Sequence, residues 1–253
     1  MVGRNDLKGV VFCGGKGIRL RPLTYYFQKT MVPVGLKQKP LLEYVIRLMK
    51  KHKIRDIVLL VNYKAHQIVK YFEDGSRFDV NISYTYDKPK LGGTGGALLN
   101  AYLEGALSTG EKLLLYYGDI LSNIDLTDML RQHHEKEATV TVALSKEYNV
   151  PVGVAEVAEN GRIRCFVEKP TLKKPVSIGV LAMEGEVLDD VRELMRGKAS
   201  LDIMTDLVPH LAEEGEAVWA YFTDAFWCDL GSIERYEKLR SETIEKHLSR
   251  LME

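Results

Sequence analysis

The amino-acid sequence predicts an α/β fold, a three-layer domain around a mostly parallel central sheet. Three observations point there. Apolar runs of strand length alternate with segments of helical spacing between residues 10 and 118. Two of those runs stop on glycine, at Gly14-Gly15 and at Gly118-Asp119. Beyond them the chain changes to short strand-like pieces separated by turn signals such as Asn160-Gly161, which predicts a smaller antiparallel region covering one side of the sheet.

Val10, Val11 and Phe12 read as a buried strand. Leu41 to His52 has helical spacing (Leu41, Leu42, Val45, Ile46, Met49), and Lys50, Lys51 and His52 sit in its last turn, where the helix dipole favours cations. Ile57 to Val61 is a second buried strand, Ile68, Val69 and Phe72 mark a helix, and Val80 to Tyr86 alternates like a strand. A helix over 96–107 then leads to the strand Leu113 to Tyr117. Strands joined through helices need right-handed crossovers, hence a parallel sheet. Ligands of such sheets bind beyond the carboxyl ends of the strands, where both glycine-ended runs point. In the second half, Ala138 to Leu144, Val152 to Val157, Arg162 to Val167 and Val176 to Ala182 are strand-like. The tail from Ile233 to Met252 reads as one long amphipathic helix with Tyr236, Leu239, Ile244, Leu248 and Leu251 on a stripe. Packing of that stripe on its own domain is the default, and a contact between copies in a homo-oligomer is the alternative. Without repeats or a linker rich in Pro, Gly or Ser, the 253 residues are expected to form one continuous unit.

Composition removes several function classes. Thirty-five basic side chains balance thirty-five acidic ones, so nothing pulls the whole molecule toward nucleic acid or an anionic membrane. The longest apolar runs fall far short of the ~20 residues a membrane helix needs. The first nine residues are too polar for a secretory signal. Cys13, Cys165 and Cys228 are odd in number and form no CxxC pair, so buried free thiols in a reducing, cytoplasmic setting are expected.

The chemistry gathers around the loop from Cys13 to Leu23. Gly14, Gly15 and Gly17 follow a strand and let backbone N–H groups approach an anion. Arg19, Arg21 and Lys29 supply positive charge just behind them, suited to phosphate oxygens. A Walker A loop is excluded, because no Gly-Lys is followed by Ser or Thr at the required spacing. A GxGxxG dinucleotide loop is excluded because Leu20 stands where the third glycine belongs. Asp119 ends an apolar strand, where a bare carboxylate suits a magnesium ion or a helix N-cap. Asp229, before Gly231 and Ser232, reads equally as a metal ligand or a cap. His133-His134 lacks the HExxH spacing and reads as a solvated helix end, and Cys13 as a small buried side chain.

The segment Gly14 to Thr24, followed by Lys29 shortly before Pro33-Val34, resembles the signature of the sugar-nucleotide pyrophosphorylases, the NDP-sugar nucleotidyltransferases. Further segments resemble this family in its own order. Leu91-Gly92-Gly93-Thr94-Gly95-Gly96-Ala97 is similar to its nucleotide-base loop and Tyr117-Gly118-Asp119 to its first metal aspartate. Val152-Gly153-Val154, Glu168-Lys169-Pro170 and Ser177-Ile178-Gly179 are similar to its sugar-pocket segments, and Trp227-Cys228-Asp229-Leu230-Gly231 to its second metal aspartate. The resemblance implies a Rossmann-like domain with 1–120 as a nucleotide-binding half, 121–232 as a sugar-binding half and 233–253 as a C-terminal helix. It implies no left-handed β-helix domain and no second activity.

It also implies transfer of a nucleotidyl group from an NTP to a sugar 1-phosphate with Mg²⁺ as cofactor. Arg19, Lys29 and Asp119 would be catalytic; Gly14, Gly15, Gly17, Gly92, Gly93 and Thr94 would hold the nucleotide. Gly153, Glu168, Lys169, Ser177 and Gly179 would hold the sugar phosphate, and Asp119 and Asp229 the metal. The sequence departs from the family pattern at Ile18, at Thr30, at Ser177-Ile178, and through an extra glycine in the base loop. The last two departures touch sugar and base selection. Guanylyl transfer to mannose 1-phosphate or a related sugar is the favoured expectation, with thymidylyl or uridylyl transfer to glucose 1-phosphate beside it. A phosphocholine-type cytidylyltransferase and a non-catalytic regulatory relative are the alternatives of another class.

Overall fold

A computed structural model describes residues 7–150 and 152–252. Its centre is a seven-stranded sheet in the order β14-β8-β13-β6-β1-β4-β5. The strands are β1 (Leu7–Cys13), β4 (Asp56–Val61), β5 (Asn81–Tyr86), β6 (Lys112–Tyr117), β8 (Val140–Ser145), β13 (Val176–Glu184) and β14 (Val218–Thr223). Only β13 runs against its neighbours β6 and β8; the remaining pairings are parallel. Short strands make two-stranded sheets around it: β2 (Pro33–Val34) with β3 (Lys39–Pro40), and β7 (Ile120–Ser122) with β15 (Trp227–Asp229). Two more join β9 (Tyr148–Asn149) to β12 (Thr171–Leu172), and β10 (Val154–Val157) to β11 (Ile163–Val167).

The period-two alternation of β1 explains the three layers. Val11 faces a core shared with α1 (Leu41–Lys51), α2 (Ala65–Phe72) and α4 (Leu126–Glu135). Val10 faces a second core on the other side, with α3 (Gly93–Leu103), α5 (Val187–Met195) and α6 (Val208–Glu213). Strands buried on both faces must read as continuous apolar runs, as Val10-Val11-Phe12 and Leu113-Leu114-Leu115 do.

Four expectations need correction. The helix expected over 96–107 runs from Gly93 to Leu103. Glycine disfavours helices, so the residues 93–96 read as loop. The first turn of the helix packs too closely for side chains: a Cβ at Gly95 would lie 2.7 Å from the Leu201 side chain and one at Gly96 would strike the Leu91 carbonyl, so glycine is required there despite its low helix propensity. The tail is two helices, α7 (Ile233–Lys238) and α8 (Ser241–Leu248), followed by a turn at Ser249–Leu251. Leu239 and Arg240 are extended between them, and the bend carries Ile244 and Leu248 into the α1 core. Finally, His133 is 1% exposed, with Nδ1 2.8 Å from Thr141 Oγ1 and Nε2 3.2 Å from Glu184 Oε1. The expected solvated end describes His134 alone. The cysteines divide likewise: Cys13 is buried, Cys228 half-buried, and Cys165 exposed on β11.

Candidate active site

Two cavities open at the carboxyl ends of the strands and share Tyr117 and Asp119 as common walls. The first, about 360 Å³, is lined by Gly14, Gly15, Lys29, Gly93 and Thr94 as well as Asp119. The second, about 450 Å³, is lined by Ser177, Gly179, Trp227, Asp229 and Arg235.

Asp119 is placed by packing of its neighbour. Gly118 donates its N–H to the Phe12 carbonyl at 3.1 Å, and a Cβ there would lie 2.7 Å from that same oxygen. Only glycine lets β6 close against β1 at this point, and the next residue is delivered to the strand ends. The element that follows is a strand, β7, while Asp125 caps α4 by accepting from the Asp128 N–H at 3.0 Å. The helix-cap alternative for Asp119 is therefore excluded. Asp229 sits opposite Ile120 in the β7–β15 pair, and Leu230 donates its N–H to the Asp119 carbonyl at 2.9 Å. Ser232 is the cap of α7, which removes the same alternative for Asp229.

Lys29 lies in a 3₁₀ turn, Lys29–Met31, clamped by a fully buried Gln28. The Gln28 side chain accepts from Thr30 N–H at 2.5 Å and from Thr30 Oγ1 at 2.7 Å, and donates to the Cys13 carbonyl. The clamp ties the turn to the end of β1, and from it Lys29 pairs with Asp119. Their side chains are 15% and 21% exposed, so the pair is partly desolvated and open to a ligand. Asp229 pairs with Arg235, whose other nitrogen donates to the Tyr148 hydroxyl at 3.1 Å.

Several of the other expected glycines and cations line neither cavity. Gly17 has φ +60, packs against the Lys29 side chain and itself lies outside the first cavity. Arg19 is exposed on the side of Asp229, where a Cβ at Gly231 would lie 3.2 Å from its guanidinium. Gly92 pairs with Ser200 in an isolated bridge beneath the cavity wall. Thr94 donates to Asp202 at 3.0 Å and accepts from Ile203 N–H at 2.9 Å, joining α3 to the turn at Ile203–Leu207. Gly153, Glu168 and Lys169 belong to the exposed β10–β11 hairpin and its end and line neither cavity; Lys169 Nζ is 3.9 Å from Glu168.

Burial pushes the Tyr117 hydroxyl up to about 12, so at neutral pH it remains a neutral donor between the cavities. Burial also pushes the Cys13 thiol far up, which disqualifies it as a nucleophile. The Asp119 carboxylate, in the turn just before β7, and the Asp229 carboxylate, on β15 paired with β7, suit Mg²⁺, which prefers one or two carboxylates and completes its shell with phosphate oxygens and water. No group of three or more His, Cys, Asp or Glu among the described residues could hold a metal ion alone. The sequence reading missed Gln28, Asp87, Asp202, Tyr148 and Arg235. Of these, Asp87 carried a readable signal, since it follows a strand as Asp119 does.

A model of the nucleotidyl transferase family matches residues 8–246. The UTP–glucose-1-phosphate uridylyltransferase of Synechocystis sp. is 30% identical over 246 residues, covering 91% of this chain and 61% of that protein. Mannose-1-phosphate guanyltransferase beta-B of Xenopus laevis is 29% identical over 230 residues, covering 89% and 61%. The chain thus spans about three fifths of the length of these curated relatives. A crystal structure of a Bacillus anthracis protein described as a glucose-1-phosphate thymidylyltransferase matches with a TM-score of 0.73 at 22% identity, covering 94% of each chain, and shares the fold. No helix among the described residues is long and apolar enough to cross a membrane. With the family model matching nearly its whole length, the chain belongs to the nucleotidyl transferase family.

Proposed function

We propose that the chain transfers a nucleotidyl group from an NTP to a sugar 1-phosphate, releasing pyrophosphate, with GTP and mannose 1-phosphate or a related sugar as its substrates. The observation that carries this is the Lys29–Asp119 pair, with Lys29 on the first cavity and Asp119 on the wall common to both. One cavity offers loop glycines to a triphosphate, and the other offers Ser177, Gly179 and an aromatic wall to a sugar. The names of the relatives, which act on sugar 1-phosphates, support the same reading.

A sugar-phosphate oxygen attacks the α-phosphorus, and the bond from that phosphorus to the bridging oxygen breaks. The electron pair leaves with pyrophosphate. A phosphate monoester has its second pKa near ~6 and is already ionised at neutral pH, so the site needs no general base. Gly14 and Gly15 bring backbone close to the triphosphate, Lys29 holds charge at the reacting phosphates, and Arg19 steadies the leaving group. Asp119 and Asp229 would hold magnesium, which when bound neutralises phosphate charge. Catalysis then comes from positioning and electrostatics. The test is a matrix of five NTPs against several sugar 1-phosphates, read by magnesium-dependent pyrophosphate release. Failure of every pair to release pyrophosphate above background sinks the proposal.

A further inference from the structure

The segment that carries Lys29 faces two cavities at once. Gln28, Lys29 and Thr30 line the first cavity. Phe27 and Met31, at the two ends of the same segment, line a different one of about 730 Å³. Its other walls come from the β2–β3 hairpin, with Lys37 and Lys39, and from α2, with Gln67 and Lys70. Gln67 ties this cavity to the Lys29 turn. Its Oε1 accepts from the Gln28 N–H at 2.6 Å, and its Nε2 donates to the Tyr26 carbonyl at 2.7 Å. Gln28 is the residue that clamps the Lys29 turn to the end of β1.

The charge on this cavity is one-sided. Lys37, Lys39, Lys70 and Arg77 line it, and no aspartate or glutamate does. In a chain whose cations and anions balance, four cations without a carboxylate form a local excess that favours an anion. Among the described residues none of the four pairs with a carboxylate; Lys37 reaches the Met252 carbonyl at 3.4 Å, and Arg77 donates to the Tyr71 carbonyl. The Glu43 carboxylate, buried and outside the cavity, is already engaged by Arg47 at 2.8 Å and by the Tyr71 hydroxyl at 2.6 Å. Met31, Pro33 and Pro40 make the opposite wall apolar, and Phe27, 40% exposed, presents an open ring.

These properties select a ligand class. Sugar phosphates carry several hydroxyls that need acceptors, and the side-chain amide oxygens available are those of Gln38 and Gln67, the latter already accepting from Gln28. Pyrophosphate would use the cations and leave the apolar wall idle. A nucleotide uses both, with phosphate oxygens on the lysines and a base against the aromatic ring. We propose that this cavity is a second nucleoside triphosphate site, and that a nucleotide bound there tightens nucleotide binding in the first cavity. A ligand touching Phe27 and Met31 holds both ends of the segment in the arrangement that turns Lys29 toward the first cavity. It favours that arrangement, and linkage makes the effect reciprocal.

The coupling rests on reading the first cavity as the NTP site, so binding is measured apart from turnover. Equilibrium dialysis of GTP, ATP and UTP with magnesium, without any sugar 1-phosphate, counts sites on the whole chain. Each nucleotide is expected to lose one site in the double variant Lys39→Glu/Lys70→Glu. GTP is expected to fill two sites cooperatively in the wild type and one site in the variant, with an affinity about fivefold or more below that of the second GTP in the wild type. Phe27→Ala keeps every charge, and it should weaken GTP at the lysine-dependent site about tenfold without weakening pyrophosphate there. That variant keeps the test open if the double variant does not fold. The proposal is overturned by a wild type with no lysine-dependent site, or by two independent sites without cooperativity. It is also overturned if mannose 6-phosphate or pyrophosphate binds that site as tightly as GTP, or if Phe27→Ala changes nothing. Two cooperative GTP sites in a chain that releases no pyrophosphate with any sugar 1-phosphate uphold the second site and sink the transferase reading. One GTP site with ordinary turnover does the reverse.

Discussion

Lys29 and Asp119 depend on each other, because each is the other's counter-charge in a partly desolvated wall. Lys29→Ala is expected to lower kcat by about 10²- to 10³-fold, the usual cost of removing one charge-stabilising donor. Asp119→Asn is expected to do the same and to weaken the dependence on magnesium. Both should leave circular dichroism unchanged, and either variant with near-normal pyrophosphate release contradicts the assignment. His133 makes a residue-scale prediction about stability. Burial lowers its pKa below the usual value near 6.5, against the opposing pull of Glu184. The unfolded chain therefore takes up the proton first as pH falls, and stability drops below about pH 6.5. His133→Gln should flatten the fall in thermal midpoint between pH 7 and 5.5, leaving the part due to His52, whose pKa burial also lowers. Asp119 was legible because it ends an apolar run on a glycine. His133 was not, since its partners Thr141 and Glu184 arrive from β8 and β13 and no local spacing announces them.

At the scale of elements, stability and function separate between the sheet and the β10–β11 hairpin. Val154, Val157, Ile163, Phe166 and Val167 are exposed, so this ribbon buries little apolar area, and an isolated hairpin is marginal in water. Phe166→Ser should leave the thermal midpoint nearly unchanged, while Leu115→Ala, fully buried in β6, should cost about 2–5 kcal/mol in urea unfolding. A large destabilisation by Phe166→Ser would show that the hairpin is packed in solution. Lys169 rides on the end of this ribbon, and Lys169→Ala should raise KM for the sugar 1-phosphate about tenfold, one charge-assisted contact, without shifting KM for the NTP. An unchanged KM removes Lys169 from the sugar-phosphate site. The strands themselves were readable as apolar alternation, while the expected sugar residues came only from the family resemblance. Their position was not readable, because alternation says that a ribbon forms and nothing about what it packs against. The tail shows the same limit: its stripe was visible, but the bend at Leu239 and Arg240 is imposed by the α1 core that receives Ile244 and Leu248.

For the whole molecule, the question is whether the nucleotide and sugar halves expected from the sequence behave as one unit. Their boundary near residue 120 falls inside the sheet, where β13 from the second half pairs with β6 from the first through five residue pairs, Val180 to Glu184 with Tyr116 to Lys112. β6 in turn pairs with β1, and both cores run across that seam: Leu114 and Val180 share one, Leu115 and Leu181 the other. Separating the halves would strip hydrogen-bonding edges from β6 and β13 and expose both apolar faces, so neither half has a low-cost way to open alone. The two tryptophans report on the two sides of this argument. Trp219 lies on β14 at the far edge of the sheet, and Trp227 lies on β15, paired with β7 beside the site. In Trp219→Phe the fluorescence comes from Trp227, and in Trp227→Phe it comes from Trp219. Urea unfolding followed by each, and by far-ultraviolet circular dichroism, is expected to give one midpoint for all three signals, as a single cooperative unit requires. Distinct midpoints for Trp219 and Trp227 would mean that the seam at β6–β13 is weaker than its pairing and burial imply, and that the halves are separate folding units.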